Sequence, residues 1–271
     1  MSKSLSYNRH GFTLILLSIC LMVIVFLGIT LSTVLNSNYV KKVVSSETNV
    51  TLIKNYTNQR LGRLVNSYSI SSNLSSVDLT NQDVKKIINT SVNEVYNDDP
   101  KLTIGSTILA TISSKMKNEA SRYGLDIDSE IDTVINSNES IMNQIVDNDL
   151  GPIEQVIVKI QTIKRLIKMG IIVAGAIFVL LAIRLRVKVR SNMLFMHHIG
   201  TVGICTSILL FLLLGCTYYP LQDLIVSNID YNARDVLYNV LNGIFLSYVS
   251  IIFMVFIVSI LDWGSTMKYK Y

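Results

Sequence analysis

Four long runs of apolar residues set the terms for anything this chain can fold into. Residues 12–34, 169–185, 199–219 and 243–261 are almost free of charge; the one exception is Arg184, at the edge of the second run. A bilayer core of roughly 30 Å takes about 20 apolar residues as a helix, with about 17 as the lower limit. Hydrocarbon offers no partner for a backbone N–H or C=O, so a spanning segment must be a helix or part of a closed barrel. The runs are continuous, with no alternation of period two, which fits helices and not barrel strands. Residues 169–185 form the shortest run, and Lys168 and Arg184 can lay their stems along the helix and lift their charges to the two interfaces. The expected fold class is an all-α integral membrane protein: four transmembrane helices, with a helical extracytoplasmic domain between helices 1 and 2.

The distribution of Lys and Arg orients the chain. The flank 1–11 carries Lys3 and Arg9, the link 186–198 adds Arg186, Lys188 and Arg190 to Arg184, and the tail 262–271 carries Lys268 and Lys270; Asp262 is the one acid in these three segments. Residues 35–168 hold 15 basic and 15 acidic residues, and 220–242 holds Arg234 against Asp223, Asp230 and Asp235. The positive side faces the cytoplasm, so the expected localisation is the plasma membrane, multi-pass, with both termini inside. Residues 1–11 then form a cytoplasmic N-terminus and 12–34 transmembrane helix 1, an uncleaved signal anchor. Next come an extracytoplasmic domain (35–168), helix 2 (169–185), a cytoplasmic loop (186–198), helix 3 (199–219), an extracytoplasmic loop (220–242), helix 4 (243–261) and a cytoplasmic tail (262–271).

Residues 35–168 read as helices. Val84, Ile87, Ile88, Val92 and Val95 share one face of a segment opened by Thr80 as N-cap, with Asp83 at the third helical position of a capping box. Asp99-Pro100 is expected to stop that helix, because the residue before proline avoids helical geometry. A second stripe, Ile104, Ile108, Ile112 and Met116, should end at Gly124 as C-cap. A third, Ile131, Val134, Ile135, Ile141, Met142 and Ile145, starts at Asp128 or Ser129, and a weaker one holds Val50, Ile53, Leu61, Leu64 and Val65. Gly151-Pro152 should open a new helix, since proline suits a first helical position. No breaker follows before Arg190, so this helix is expected to leave the domain and continue as transmembrane helix 2.

The residues offer little for chemistry. The three histidines (His10, His197, His198) fall on the expected cytoplasmic side, and the three cysteines (Cys20, Cys205, Cys216) fall within membrane runs. No pair has ligand spacing, so no metal site is expected. Asp126, Asp128, Glu130 and Asp132 alternate like the opening of a calcium loop, but Ile131 stands where such a loop needs Gly and Ser137 where it needs Glu; acids at a helix start explain them as well. Asp147 and Asp149 fit turn chemistry before Gly151-Pro152, and Asp98-Asp99 fits a solvated loop. Residues 35–168 contain no His, Cys or Trp, and no G-x-S-x-G occurs, so neither catalytic residues nor a cofactor site are expected. The five N-x-S/T triplets, at Asn49, Asn55, Asn73, Asn89 and Asn138, are what a stretch rich in Asn, Ser and Thr gives by chance. Gly28/Ser32 and Gly170/Ala174 have small-xxx-small spacing for close helix approach. Tyr218, Tyr219, Trp263 and Tyr269 sit where interfacial aromatics anchor a helix.

Gly11-Phe12-Thr13-Leu14-Ile15 resembles the cleavage motif of type IV prepilins. That family's glutamate is Leu16 here, and a prepilin has one membrane helix, so no role is carried over. The layout of one helix, a large outside domain and three helices is similar to the membrane subunits of cell-division and macrolide-export ABC systems, a likeness of topology without a residue motif. The net charge of +5 sits beside the apolar runs, so nucleic acid is not an expected partner. The bias toward Asn, Ile, Lys and Ser suits an AT-rich bacterial coding sequence. The leading expectation is a non-enzymatic multi-pass protein in a lipid bilayer. Its outer helical domain binds a protein partner in the cell envelope, as scaffold, sensor or accessory subunit, while its last three helices anchor it and allow a homo-oligomer. The alternatives are the membrane subunit of an ABC-type complex with a separate ATPase, and a small channel or pore.

Overall fold

A computed structural model describes residues 3–67, 78–97, 104–122, 124, 126, 128–189, 191–228 and 231–267. Among them there are eight helices and no strand: α1 (Lys3–Ser32), α2 (Ser37–Val44), α3 (Glu47–Ser67), α4 (Asn81–Val95), α5 (Ile104–Arg122), α6 (Asp128–Val189), α7 (Asn192–Asn228) and α8 (Tyr231–Thr266). Four stretches are long and apolar enough to cross a membrane: Gly11–Ser32, Lys159–Val189, Asn192–Ser227 and Arg234–Thr266. The last three contain the runs expected from sequence and extend past their ends, while the first stops at Ser32, two residues short of the expected 12–34. The chain divides into two compact units, one of Met1–Asn36, Ile163–Ser227 and Leu241–Tyr271, the other of Ser37–Thr162 and Asn228–Val240.

The second unit folds as a soluble helical domain does, by burying one apolar stripe from each helix. Its core joins Val50 of α3, Leu79, Val84, Ile87 and Ile88 of α4, Ile112, Met116 and Ala120 of α5, and Ile131 of α6. Val44, Ile53, Val92, Ile108 and Ile135 pack around them. Most of the periodic residues expected from sequence, where described, therefore face one another. The short α2, whose Val44 reaches this core, has no counterpart among the expected stripes; eight residues are too few for a periodic signal to stand out.

The entry to α4 is fixed by side chains. Thr80 caps the helix, its hydroxyl oxygen accepting from the Asp83 N–H at 3.3 Å while the Asp83 carboxylate accepts from the Thr80 N–H at 2.7 Å. This reciprocal box satisfies two donors that the first turn leaves open. Asn58 on α3 holds the preceding residue at two points: Leu79 N–H donates to its Oδ1 at 2.9 Å, and its Nδ2 donates to the Leu79 carbonyl at 3.3 Å. Lys115 on α5 then pairs with Asp83 at 2.5 Å and donates to the Asp78 carbonyl at 2.9 Å. The α4 helix ends at Val95 with Tyr96 as C-cap; Asp98, Asp99 and Pro100, expected to end it, lie outside the described residues. Gly124 takes φ +68° just beyond α5, the left-handed conformation that suits glycine at a helix exit.

One expectation from a proline is corrected. Gly151-Pro152 does not open a helix: α6 begins at Asp128 and runs unbroken through both residues to Val189. The stripe from Ile131 and the membrane run therefore belong to one 62-residue helix. Asp147 and Asp149, read as turn residues, lie in its course. Likewise the link 220–242 is mostly helix, since α7 continues through Pro220 to Asn228 and α8 opens at Tyr231. An interior proline removes one bond to the carbonyl four residues back and costs about 3 kcal/mol, which a long helix held elsewhere along its length can carry. The link 186–198 is just as compact, with α7 starting three residues after α6 ends.

The first unit packs α1 against α6, α7 and α8. Toward the end of α1, Ile29 meets Leu210 and Leu214 of α7 and Tyr248 and Ile252 of α8, with Met22, Val25 and Phe26 alongside. Nearer its start, Leu17 meets Leu185 of α6 and Val202 of α7, with Leu14, Leu21, Phe178, Leu181 and Phe195 around them.

The Asp83 box gives a pH dependence. Partial burial raises the carboxyl's pKa, but hydrogen bonds from the Lys115 ammonium and from Thr80 outweigh it and leave the pKa below the ordinary 3.8. A carboxyl with a lowered folded pKa stabilises fully above its unfolded value and loses that contribution as pH falls through the folded one. Hydrogen exchange of α4 amides in the intact protein should therefore show protection falling below about pH 4. Asp83→Asn should give weaker protection at pH 7 and a flatter acid limb.

Candidate functional site

The polar groups buried in the apolar helices are the place to look for chemistry, because hydrocarbon makes each of them costly unless partnered. They form three small clusters, each joining two helices. At the first, the Thr206 hydroxyl on α7 donates to the Ser18 carbonyl on α1 at 3.0 Å, and the Ser18 hydroxyl returns a long bond to the Val202 carbonyl at 3.5 Å. At the second, the Thr30 hydroxyl donates to the Phe26 carbonyl at 2.9 Å, which leaves its oxygen to accept from the Tyr248 phenol at 2.6 Å. The Tyr248 ring also lies 5.7 Å from that of Phe26.

The third cluster joins the start of α7 to the end of α8. His197, only 4% exposed, stacks on Trp263 with ring centroids 5.5 Å apart. Thr266 donates its hydroxyl proton to the Asp262 carbonyl at 2.7 Å, so its oxygen is the acceptor facing His197 Nδ1 at 3.4 Å. Trp263, expected as an interfacial anchor, is here part of a helix–helix contact. Two glycines bring the helices this close. A Cβ on Gly200 would stand 2.8 Å from the Trp263 backbone nitrogen, and one on Gly203 would overlap the Ser259 hydroxyl and stand 2.8 Å from its Cβ.

Close packing therefore sits on Gly200 and Gly203 of α7. Of the pairs singled out from sequence, a Cβ on Gly170 would stand 3.1 Å from a Leu27 methyl and Ala174 is buried, while Gly28 has open space. Spacing alone does not say which small residue has a neighbour. At the far end of α7, the Tyr218 phenol donates to Asn242 Oδ1 at 2.5 Å and accepts from Gln222 at 2.7 Å, with its ring 4.3 Å from Phe245. Tyr219 is exposed, as an interfacial aromatic should be; Tyr269 lies outside the described residues.

The remaining candidates do not converge. Among the described residues no group of three His, Cys, Asp or Glu could hold a metal ion. Asp128 and Glu130 lie in the first turn of α6, and Asp132 pairs with Lys117 at 2.7 Å, holding that ammonium's pKa up through its hydrogen bond. The acids expected to resemble a calcium loop are thus spent on a helix start and an ion pair. The cysteines are free thiols, Cys20 half-buried and Cys205 and Cys216 exposed on α7. Asn49, in one of the N-x-S/T triplets, is buried: its Nδ2 donates to the Val43 carbonyl and its Oδ1 accepts from Asn239 Nδ2, both at 3.0 Å. That amide is a packing group inaccessible to modification. The side chains of His10, Asn73, Asp98, Asp99 and Asn138 lie outside the described residues.

The α7–α8 contact can be tested directly. Gly203→Ala should lower the thermal stability of the detergent-solubilised protein by about 1–3 kcal/mol through overpacking. Gly215→Ala, where the added methyl meets open space, should leave it unchanged. Ser259→Gly in the Gly203→Ala background should recover part of the loss.

The sequence matches no family model, no curated protein and no solved structure.

Proposed function

We propose that this chain is a non-enzymatic multi-pass membrane protein whose helical unit at 37–162 lies outside the cytoplasm and binds a protein partner of the cell envelope. One observation carries the reading: the buried polar groups of the membrane helices are spent on holding helix to helix. Ser18, Thr206, Thr30, Tyr248 and Thr266 each bond a neighbouring helix or their own backbone. No Asp, Glu, Lys or Arg occupies the middle of a spanning run, where ion-coupled transporters place their working groups. Such a bundle acts as an anchor. The separate unit, with a core of its own, is what remains to meet a partner.

The outward placement rests on the charge distribution, in which the neutral segment lies away from the cationic turns. In a chain with its three native cysteines replaced by Ala, Ser121→Cys places a thiol on an exposed position of α5. A membrane-impermeant maleimide should label it in intact cells. Labelling only after the membrane is opened would overturn the topology. Stoichiometric co-purification of an ATPase would replace the reading with that of a transporter-type subunit.

A further inference from the structure

We infer that the end of α6 next to α7 is a binding site for an anionic phospholipid, with its phosphate held by Arg184 and Lys188. Helical geometry places Val173, Ile177, Leu180, Arg184 and Lys188 on one stripe, at spacings of four, three, four and four. All five are exposed, the three apolar ones at 58%, 45% and 68%. From Val173 to Arg184 the stripe rises about 16 Å, close to one leaflet of a roughly 30 Å hydrocarbon core. Arg184 thus stands at the end of the apolar run 169–185 and Lys188 one turn beyond it, above an uninterrupted apolar track.

The one acid of the basic flanks, Asp262 on α8, forms no salt bridge with these cations among the described residues. No acid occurs between Glu154 and Asp223, and among the described residues Arg184, Arg186 and Lys188 form no salt bridge. Arg186 is turned another way, its guanidinium donating to the Asn192 side-chain oxygen in the first turn of α7. That bond pins the turn and leaves Arg184 and Lys188 as the free pair. A free phosphate would use the two cations alone, whereas the continuous apolar track commits the site to a lipid. Each basic residue near an anionic surface strengthens attraction through the same electrostatics. The site does not depend on which way the chain is oriented, so it stands or falls apart from the proposed function.

Trp263 is the chain's one tryptophan, and its stacking on His197 in the second turn of α7 puts it at this end of the bundle. The full chain, reconstituted in phosphatidylcholine bilayers, can be titrated with brominated phosphatidylglycerol or brominated phosphatidylcholine while Trp263 quenching is read. The anionic lipid should bind about tenfold more tightly. Arg184→Gln with Lys188→Gln should bring the ratio close to one, and Arg184→Lys with Lys188→Arg should preserve it, which separates lost charge from lost folding. Arg165→Gln with Lys168→Gln, at the other end of the span, should leave it unchanged. Equal affinity for the two lipids in the unaltered chain would overturn the proposal. So would equal losses from the two ends, or displacement of the lipid by excess inorganic phosphate.

Discussion

The absence of hydrogen-bonding solvent inside a bilayer governs half of this molecule. It forces the four apolar runs into helices, and it decides how those helices may touch. Lipid tails are as apolar as leucine, so burying one more isobutyl group draws no helix toward its neighbour. What remains is close contact and the pairing of the few polar groups. Gly200 and Gly203 supply the first on α7, and the Ser18–Thr206 and Thr30–Tyr248 pairs supply the second. The stacked His197 and Trp263 combine both, a large flat contact with a polar edge turned to Thr266.

The unit at 37–162 lives under the opposite rule. There water drives the burial of Val84, Ile88, Ile112, Met116 and Ile131. Capping and pairing at its surface, through Thr80, Asp83 and Lys115, set where α4 begins and how α5 lies beside it. Two solvents have selected two kinds of contact in one chain, and the division shows in composition: Asn, Ser, Thr and charge among branched aliphatics in one unit, nearly uncharged apolar runs with most of the glycines in the other.

Features that depend on local spacing were readable from the residues alone. The capping box needs only Thr80 and Asp83 three apart, the core stripes need only a helical period, and the four spans need only length and the lack of charge. Features that depend on a partner's identity were not. Gly28 and Gly203 look alike in sequence, yet only Gly203 has a neighbour pressed against it. Pro152 and Pro220 signal a break by their covalent structure, but whether a helix stops is decided by what holds it on either side. Trp263 carries the usual mark of an interfacial anchor, and nothing near it in sequence announces His197, 66 positions earlier. The polar contacts that hold the membrane helices together were not legible either, because each group's partner lies on another helix.

The amide pair of Asn49 and Asn239 ties together two residues 190 positions apart. The opening turns of α8 are thereby part of the water-driven unit, although most of that helix is built for lipid. A ribosome delivers Asn49 long before Asn239, so during synthesis the Asn49 side-chain carbonyl must wait, hydrated or otherwise occupied, until 190 more residues have been added. The opening of α8 is therefore a closing piece of the unit begun at Ser37.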